Sequence, residues 1–156
     1  ELGGSEWYAF HGKIGNGVSR VHPKTAKALY EKLGHAIREG LVASCHDCSD
    51  GGLGVALAET AFAGGFGLAV DLEAVPAEGI DRNDELLFSE SQSRFIVTVR
   101  PESRQAFEDA LAGSVFARIG RVIPEPILRI EGLHGENILT EKLADLKSAW
   151  QKPLAF

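Results

Sequence analysis

The stretch SCHDCSDGGLG, residues 44–54, holds both cysteines of the chain, a histidine, two aspartates and three glycines. An apolar run leads into it and a longer one follows, so it stands where a strand would pass into a helix. Four readings fit such a place: a redox dithiol, half of a zinc site, a phosphate-binding turn, or a turn that serves packing alone.

Cys45 and Cys48 are spaced C-x-x-C, and a helix N-terminus after such a pair favours a thiolate. Asp47 and Asp50 act against it, because nearby carboxylates raise a thiol pKa. Cys45 also continues the apolar run, where a cysteine serves as a small buried residue. Zinc needs about four ligands, and this motif offers two. His11, His22, His35 and His134 show no paired spacing, and no second C-x-x-C exists. Glycines at a strand-to-helix turn let the amides of Gly51 and Gly52 approach an anion. The spacing matches neither G-x-G-x-x-G nor G-K-[ST], and Asp50 would repel a phosphate unless a metal intervened. In the packing reading, Ser49 or Asp50 caps the helix while Gly51 and Gly52 allow close approach. Spacing alone favours this last reading.

Outward from the turn, periodicity supplies the elements. LVASC, residues 41–45, reads as a buried strand. GGLGVALAETAFAGG, residues 51–65, reads as a helix apolar nearly all round and therefore buried. FGLAVDL places Phe66, Leu68, Val70 and Leu72 on one face at period two. Upstream, Pro23 suits the first position of a helix, Ala26, Leu29, Tyr30, Leu33, Ile37 and Leu41 form its stripe, and Gly40 ends it. Residues 1–22, with five glycines, read as an irregular lead-in. Downstream, DRNDELLFSES reads as a short helix and its exit. RFIVTV is a strand with Phe95, Val97 and Val99 on one face. PESRQAFEDALAG is a helix opened by proline and closed by Gly113. VFARIGRVI and PILRIEG read as two strands, and Thr140 as the cap of a last helix bearing Leu143, Leu146 and Trp150. The order predicts an α/β mixed (α+β) fold, a mixed sheet with helices packed on it.

Composition sets the bounds. The chain has 156 residues, 44% hydrophobic and 24% charged, with net charge -6. That suits one domain with a real core. No basic cluster points to nucleic acid, and no apolar run of about 18 residues points to a membrane span. Two cysteines are too few for a disulfide framework, so a reducing cytoplasm is the default. The absence of any methionine leads to the expectation of a piece of a longer protein.

A second polar group is FSESQSRF, residues 88–95. Glu90, Ser91 and Gln92 crowd a helix-to-strand junction, where they can hydrogen-bond a ligand. The plain alternative is a surface turn in which Glu90 pairs with Arg94.

Three separated motifs, LGGSEW (2–7), HDCSDGGLGVALAE (46–59) and LFSESQSRFIVTV (87–99), together resemble the synthetase component of phosphoribosylformylglycinamidine synthase, within the aminoimidazole-ribonucleotide-synthetase-like superfamily. The resemblance runs through nearly the whole chain. It implies residues 1–22 as a lead-in and 23–156 as a single C-terminal α/β domain from the second half of a duplicated synthetase. That enzyme uses ATP, magnesium and glutamine-derived ammonia to convert formylglycinamide ribonucleotide to the amidine. Its catalytic residues lie in ATP-binding domains, so the resemblance implies no catalytic residue here, no tightly bound cofactor in this chain alone, and no glutaminase role for Cys45 or Cys48. The E-S-Q triplet contacts substrate in the first half. By analogy an auxiliary cleft here would be lined by Ser49, Asp50, Gly51, Gly52, Glu90, Ser91 and Gln92, with Asp50 toward magnesium. The implied partners are the ATP-binding domains of the same longer chain and a glutaminase domain or subunit. Two other readings remain: a non-catalytic structural or oligomerisation module, and a domain of a related ATP-dependent synthetase or kinase.

Overall fold

The structure, a computed structural model, describes residues 1–154; residues 155 and 156, which the expected domain includes, lie outside the described residues. Six helices of the α type and six strands follow in chain order among them. Helix α1 is Glu6–Phe10 and α2 is Pro23–Arg38, followed by strand β1, Ser44–Asp47. Next come α3, Gly52–Gly64, and β2, Gly67–Asp71. Then follow α4, Asn83–Phe88, β3, Phe95–Thr98, and α5, Arg104–Ala110. Strands β4, Gly120–Ile123, β5, Ile127–Glu131, and β6, Asn137–Lys142, precede α6, Leu143–Gln151.

The expected fold class holds, with the strands divided between two sheets. Strand β1 pairs antiparallel with β3, setting Cys45 opposite Val97 and His46 opposite Ile96. The other sheet runs β4-β2-β5-β6. It is mixed: β2 and β5 are parallel, while β4 and β6 pair antiparallel at its edges.

Helix α3 ties these parts together. It packs against α4, α6 and strands of both sheets. Leu53, Ala56, Leu57 and Ala61 are all buried, as expected of a helix without a polar face. Its ends are set by glycine. Gly51 at the N-cap has φ 76° and Gly65 at the C-cap has φ 72°, with the Gly65 amide donating to the Ala61 carbonyl at 2.9 Å. Left-handed backbone at both ends stops the helix at little steric cost. Beneath α3, Leu68, Val70, Leu128 and Ile130 extend the same core.

Several expectations are corrected. The lead-in is not irregular throughout: Ser5, only 2% exposed, caps α1 by accepting from the Tyr8 amide at 3.3 Å. The segment closes on itself where the Gly3 amide donates to Gly17 and the Gly4 amide to Ile14. The strand expected at 41–45 lies at 44–47 and faces solvent over much of its length. In β3 the core-facing residue is Ile96, while Phe95 and Val97 form the half-buried outer face. There Tyr30 of α2 meets the Phe95 ring edge-on at 5.8 Å. Phe66 is exposed ahead of β2. Thr140 does not cap the last helix, because it lies within β6 and α6 starts after Lys142 without a side-chain cap. No helix among the described residues is long and apolar enough to cross a membrane.

Leu57, 1% exposed at the centre of the core cluster, should be the costly position on α3. Leu57→Ala is expected to lower unfolding free energy by about 2–5 kcal/mol, whereas Ile37→Ala on the exposed side of α2 should stay within about 0.5 kcal/mol. Urea denaturation of the two variants checks the contrast.

Candidate functional site

The turn between β1 and α3 and the segment after α4 meet directly. Cys48 leaves β1 with its amide donating to the Arg94 carbonyl at 2.9 Å. The Ser49 hydroxyl donates to Asp47 Oδ2 at 2.5 Å, and this bond holds the Asp47 carboxyl below its ordinary range. The Gly52 amide donates to the Ser49 carbonyl at 2.9 Å, closing the turn. Gly52 has φ 62°, and a Cβ there would stand 2.3 Å from the Ser89 carbonyl oxygen and 2.8 Å from that of Leu87. Only glycine fits both the backbone geometry and the close approach. The expected cap by Ser49 or Asp50 is therefore replaced: the N-cap is Gly51, with no side-chain cap bond.

Glu90 faces this turn from the other side. Its Oε1 accepts the Gly51 amide at 2.8 Å and the Glu6 amide at 3.0 Å. Glu90 thus does not pair with Arg94, the plain alternative above. Arg94 instead donates from Nε to the Ser91 carbonyl at 3.1 Å and from Nη2 to the Ser89 carbonyl. Burial lowers its pKa from the usual guanidinium range. The Gln92 amide donates to Ser19 Oγ at 3.1 Å, so the lead-in reaches this segment twice. A third contact is the Trp7 ring, stacked on Phe88 of α4 with centroids 4.2 Å apart and planes 9° from parallel.

All seven residues read from the sequence as a cleft therefore fall in one neighbourhood, but in different conditions. Gly51 and Gly52 are buried, Glu90 and Ser91 half-buried, and Ser49, Asp50 and Gln92 exposed. The expectation that the Gly51 and Gly52 amides stand ready for a phosphate is corrected: Glu90 and Ser49 already take them. Asp50 alone does not make a magnesium site, since such an ion needs several oxygens. Among the described residues no three His, Cys, Asp or Glu side chains gather for a metal.

Cys45 is not the small buried residue expected of it. Cys45 is exposed and Cys48 buried, both as free thiols. The reason is register: Cys45 points to the outer face of the two-stranded sheet, while Cys48 leaves the strand toward the core. Burial pushes both thiols up, with the Asp47 charge adding to it; at Cys48 the nearby Arg94 partly offsets the rise. A redox thiol needs the opposite shift.

Two groupings escaped sequence reasoning. Glu59 of α3 bonds His46 of β1 through Oε2 and the Trp150 indole of α6 through Oε1, each at 2.8 Å. Trp150 and Glu59 also border an apolar cavity of about 510 Å³ between α3, α6 and β5. A smaller hollow is walled by Trp7, Tyr8, His11, Lys13, Arg82 and Asp84, where Arg82 clamps Asp84 with bonds of 3.0 and 2.6 Å. The separations of 13 and 91 residues in the first grouping follow no local period, so no sequence signal could have found it.

The family described as AIR synthase related protein, C-terminal domain, matches residues 1–132. Phosphoribosylformylglycinamidine synthase subunit PurL of Moorella thermoacetica is 37% identical over 160 residues, covering 99% of this chain and 20% of that protein. The chain thus spans about a fifth of the length of the curated relatives it matches. Among solved structures, Thermotoga maritima PurL complexed with ATP superposes with TM-score 0.73 at 27% identity, over 84% of this chain and 23% of that one. PurLQS from T. maritima gives TM-score 0.71 at 27% identity, over 81% and 22%.

Gly52→Ala should destabilise the chain by about 3 kcal/mol, from left-handed backbone strain together with overpacking against residues 87–89. Gly64→Ala, with open space around it, should be neutral or mildly stabilising, and thermal melts of the two variants check the contrast. For the thiols, Cys45→Ser should change stability by less than about 0.5 kcal/mol, while Cys48→Ser should cost about 1–2 kcal/mol by placing a hydroxyl in the core. Alkylation by iodoacetamide should reach Cys45 first, and its rate should still climb at pH values above the ordinary thiol range.

Proposed function

The chain belongs to the family of AIR synthase related protein C-terminal domains, and from that membership we propose that it serves as the C-terminal α/β domain of a phosphoribosylformylglycinamidine synthase, in the second half of the duplicated synthetase. The observation that carries this reading is the 37% identity over 99% of the chain against only 20% of the PurL relative. A match of that shape is what one domain of a larger synthetase would give. The whole enzyme makes formylglycinamidine ribonucleotide from formylglycinamide ribonucleotide, ATP and glutamine-derived ammonia, in the purine biosynthesis of the cytoplasm. It is an ATP-dependent, amidine-forming ligase. Residues 1–22 act as the lead-in from the preceding ATP-binding domain, and 23–156 as the α/β domain.

In this reading the chain supplies one wall of a nucleotide or ribonucleotide cleft rather than the reacting groups. Phosphoryl chemistry rests on positioned ATP and its magnesium, and the residues for both belong to the ATP-binding domains. ATP binding by T. maritima PurL supports nucleotide use by the whole enzyme. Within this chain, Gln92 brings a carboxamide that both donates and accepts, Ser91 a hydroxyl, and Ser49 and Asp50 a polar rim. Gly51, Gly52 and Glu90 shape the wall. Asp50 would meet magnesium only if phosphates and other domains supplied the remaining ligands. The partners are the ATP-binding domains of the same longer chain and a glutaminase domain or subunit, in line with the T. maritima PurLQS assembly. A second reading, a purely structural module, draws on the engagement of the Gly51 amide by Glu90.

The first of two measurements checks that catalysis lies outside this chain, and the second separates the two readings. Pure chain given ATP, ammonia and the ribonucleotide should release no phosphate above background; turnover would place catalysis in this domain. In the full-length synthetase, Gln92→Ala should weaken nucleotide or ribonucleotide binding roughly 5- to 10-fold, the worth of about one hydrogen bond, while the melting temperature of the chain stays within about 2 °C. Unchanged binding constants would favour the structural module.

A further inference from the structure

One carboxylate oxygen on Glu90 reaches two amides that helices leave without internal partners. One is the amide of Glu6, the first residue of α1, and the other is that of Gly51, the N-cap of α3. The two amides lie 84 and 39 residues away in sequence. A negative charge at two helix starts is favoured by both dipoles, and N–H bonds to a carboxylate are stronger than those to neutral oxygen. Around this point the lead-in is held again, by Ser19 on the Gln92 amide and by Trp7 on Phe88.

We propose that Glu90 is a positioning residue: it is the resident anion of the turn, and it fastens the lead-in and the β1–α3 turn to each other. The turn is thereby closed to an incoming phosphate, and within the S-E-S-Q segment ligand contact falls to Ser91 and Gln92. The second statement rests on the cleft reading above; the tether itself rests on geometry alone.

Amide hydrogen exchange followed by NMR on the 156-residue chain, without ligand, tests the tether. Glu90→Ala should speed exchange at the Glu6 and Gly51 amides roughly tenfold or more, with the amides of Leu57 and Leu128 unchanged. Glu90→Gln keeps an oxygen acceptor at the same reach and should restore most of that protection. If Glu90→Ala does not fold, Glu90→Asp replaces it, since the shorter side chain should lose at least one of the two bonds. Three results would overturn the proposal: unchanged exchange at both amides, a rise spread evenly through the core, or Glu90→Gln behaving as Glu90→Ala. Inorganic phosphate added to the native chain should leave the Gly51 amide resonance in place; a saturable shift would mean the turn is open. Failure of Gln92→Ala to alter ligand binding would remove the cleft reading and leave these exchange results standing.

Discussion

The backbone of Gly52 lies against the carbonyls of Leu87 and Ser89 with no room for a side chain between them. Much of the rest depends on that approach. It brings the N-terminus of α3 onto the exit of α4, so the segment after α4 must turn at once. Ser93, the only non-glycine residue among those described with positive φ, takes the strain of that turn at 64°. Arg94 then gathers the carbonyls of Ser89 and Ser91 that the turn leaves open. The buried Ser89 carbonyl, left without a partner, would cost about 1–3 kcal/mol. From Arg94 the chain enters β3 already in register with β1.

Helix α3 explains why the strands form two sheets instead of one. A helix with a polar face would rest on a single sheet and show its other side to water. Here the apolar surface continues around the helix, and it is buried only if covered from several directions. The pair β1–β3 covers one side, β2 and β5 another, and α4 and α6 complete the enclosure. At the rim of that shell Glu59 links His46 on the first sheet to Trp150 on α6, while the Thr60 hydroxyl of α3 is buried without a partner. One carboxylate with both oxygens engaged can sit half-buried at modest cost. It also sets how far α6 stands from β1, which the surrounding aliphatic side chains do not define by direction.

Where a period ran long enough, the sequence was readable. Ala26 and Leu33 of α2, the unbroken apolar helix α3, and Leu68, Val70 and Leu72 around β2 all emerged from spacing, whereas on α2 Ala36 is buried and the expected Tyr30 and Ile37 are exposed. Short elements did not. The five residues of α1 carry no period, and its order comes from the Ser5 cap and the Phe88 ring, one local and one 81 positions away. In β6, Thr140 looked like a helix cap because the strand runs into α6 without an intervening loop. Cys45 looked buried because it follows apolar residues, yet pairing with Val97 turns it to the outer face. At the site, the helix–strand junctions and the family resemblance placed Ser49–Gly52 and Glu90–Gln92 together. What neither conveyed was direction: that Glu90 points inward to amides and Gln92 outward.

That difference in direction follows from the local chain path rather than from residue type. Residues 89–92 are not in a strand or helix, so neighbouring side chains need not alternate or spiral, and each takes the side its backbone leaves open. Ser89, 8% exposed, lies under the turn because its carbonyl is pressed against Gly52. Glu90 follows on the side of the two helix starts, where two amide dipoles lower the cost of its charge. The Gln92 amide is drawn to Ser19 of the lead-in, and this leaves its side chain toward water with only a long 3.5 Å contact to the Glu90 carbonyl. A carboxamide held by its backbone but loose at its tip keeps its donor and acceptor available, whereas the carboxylate two positions earlier commits one oxygen to two amides. In one short segment, then, the charged residue secures the chain and the neutral one is left loose at its tip, the reverse of what charge alone would suggest.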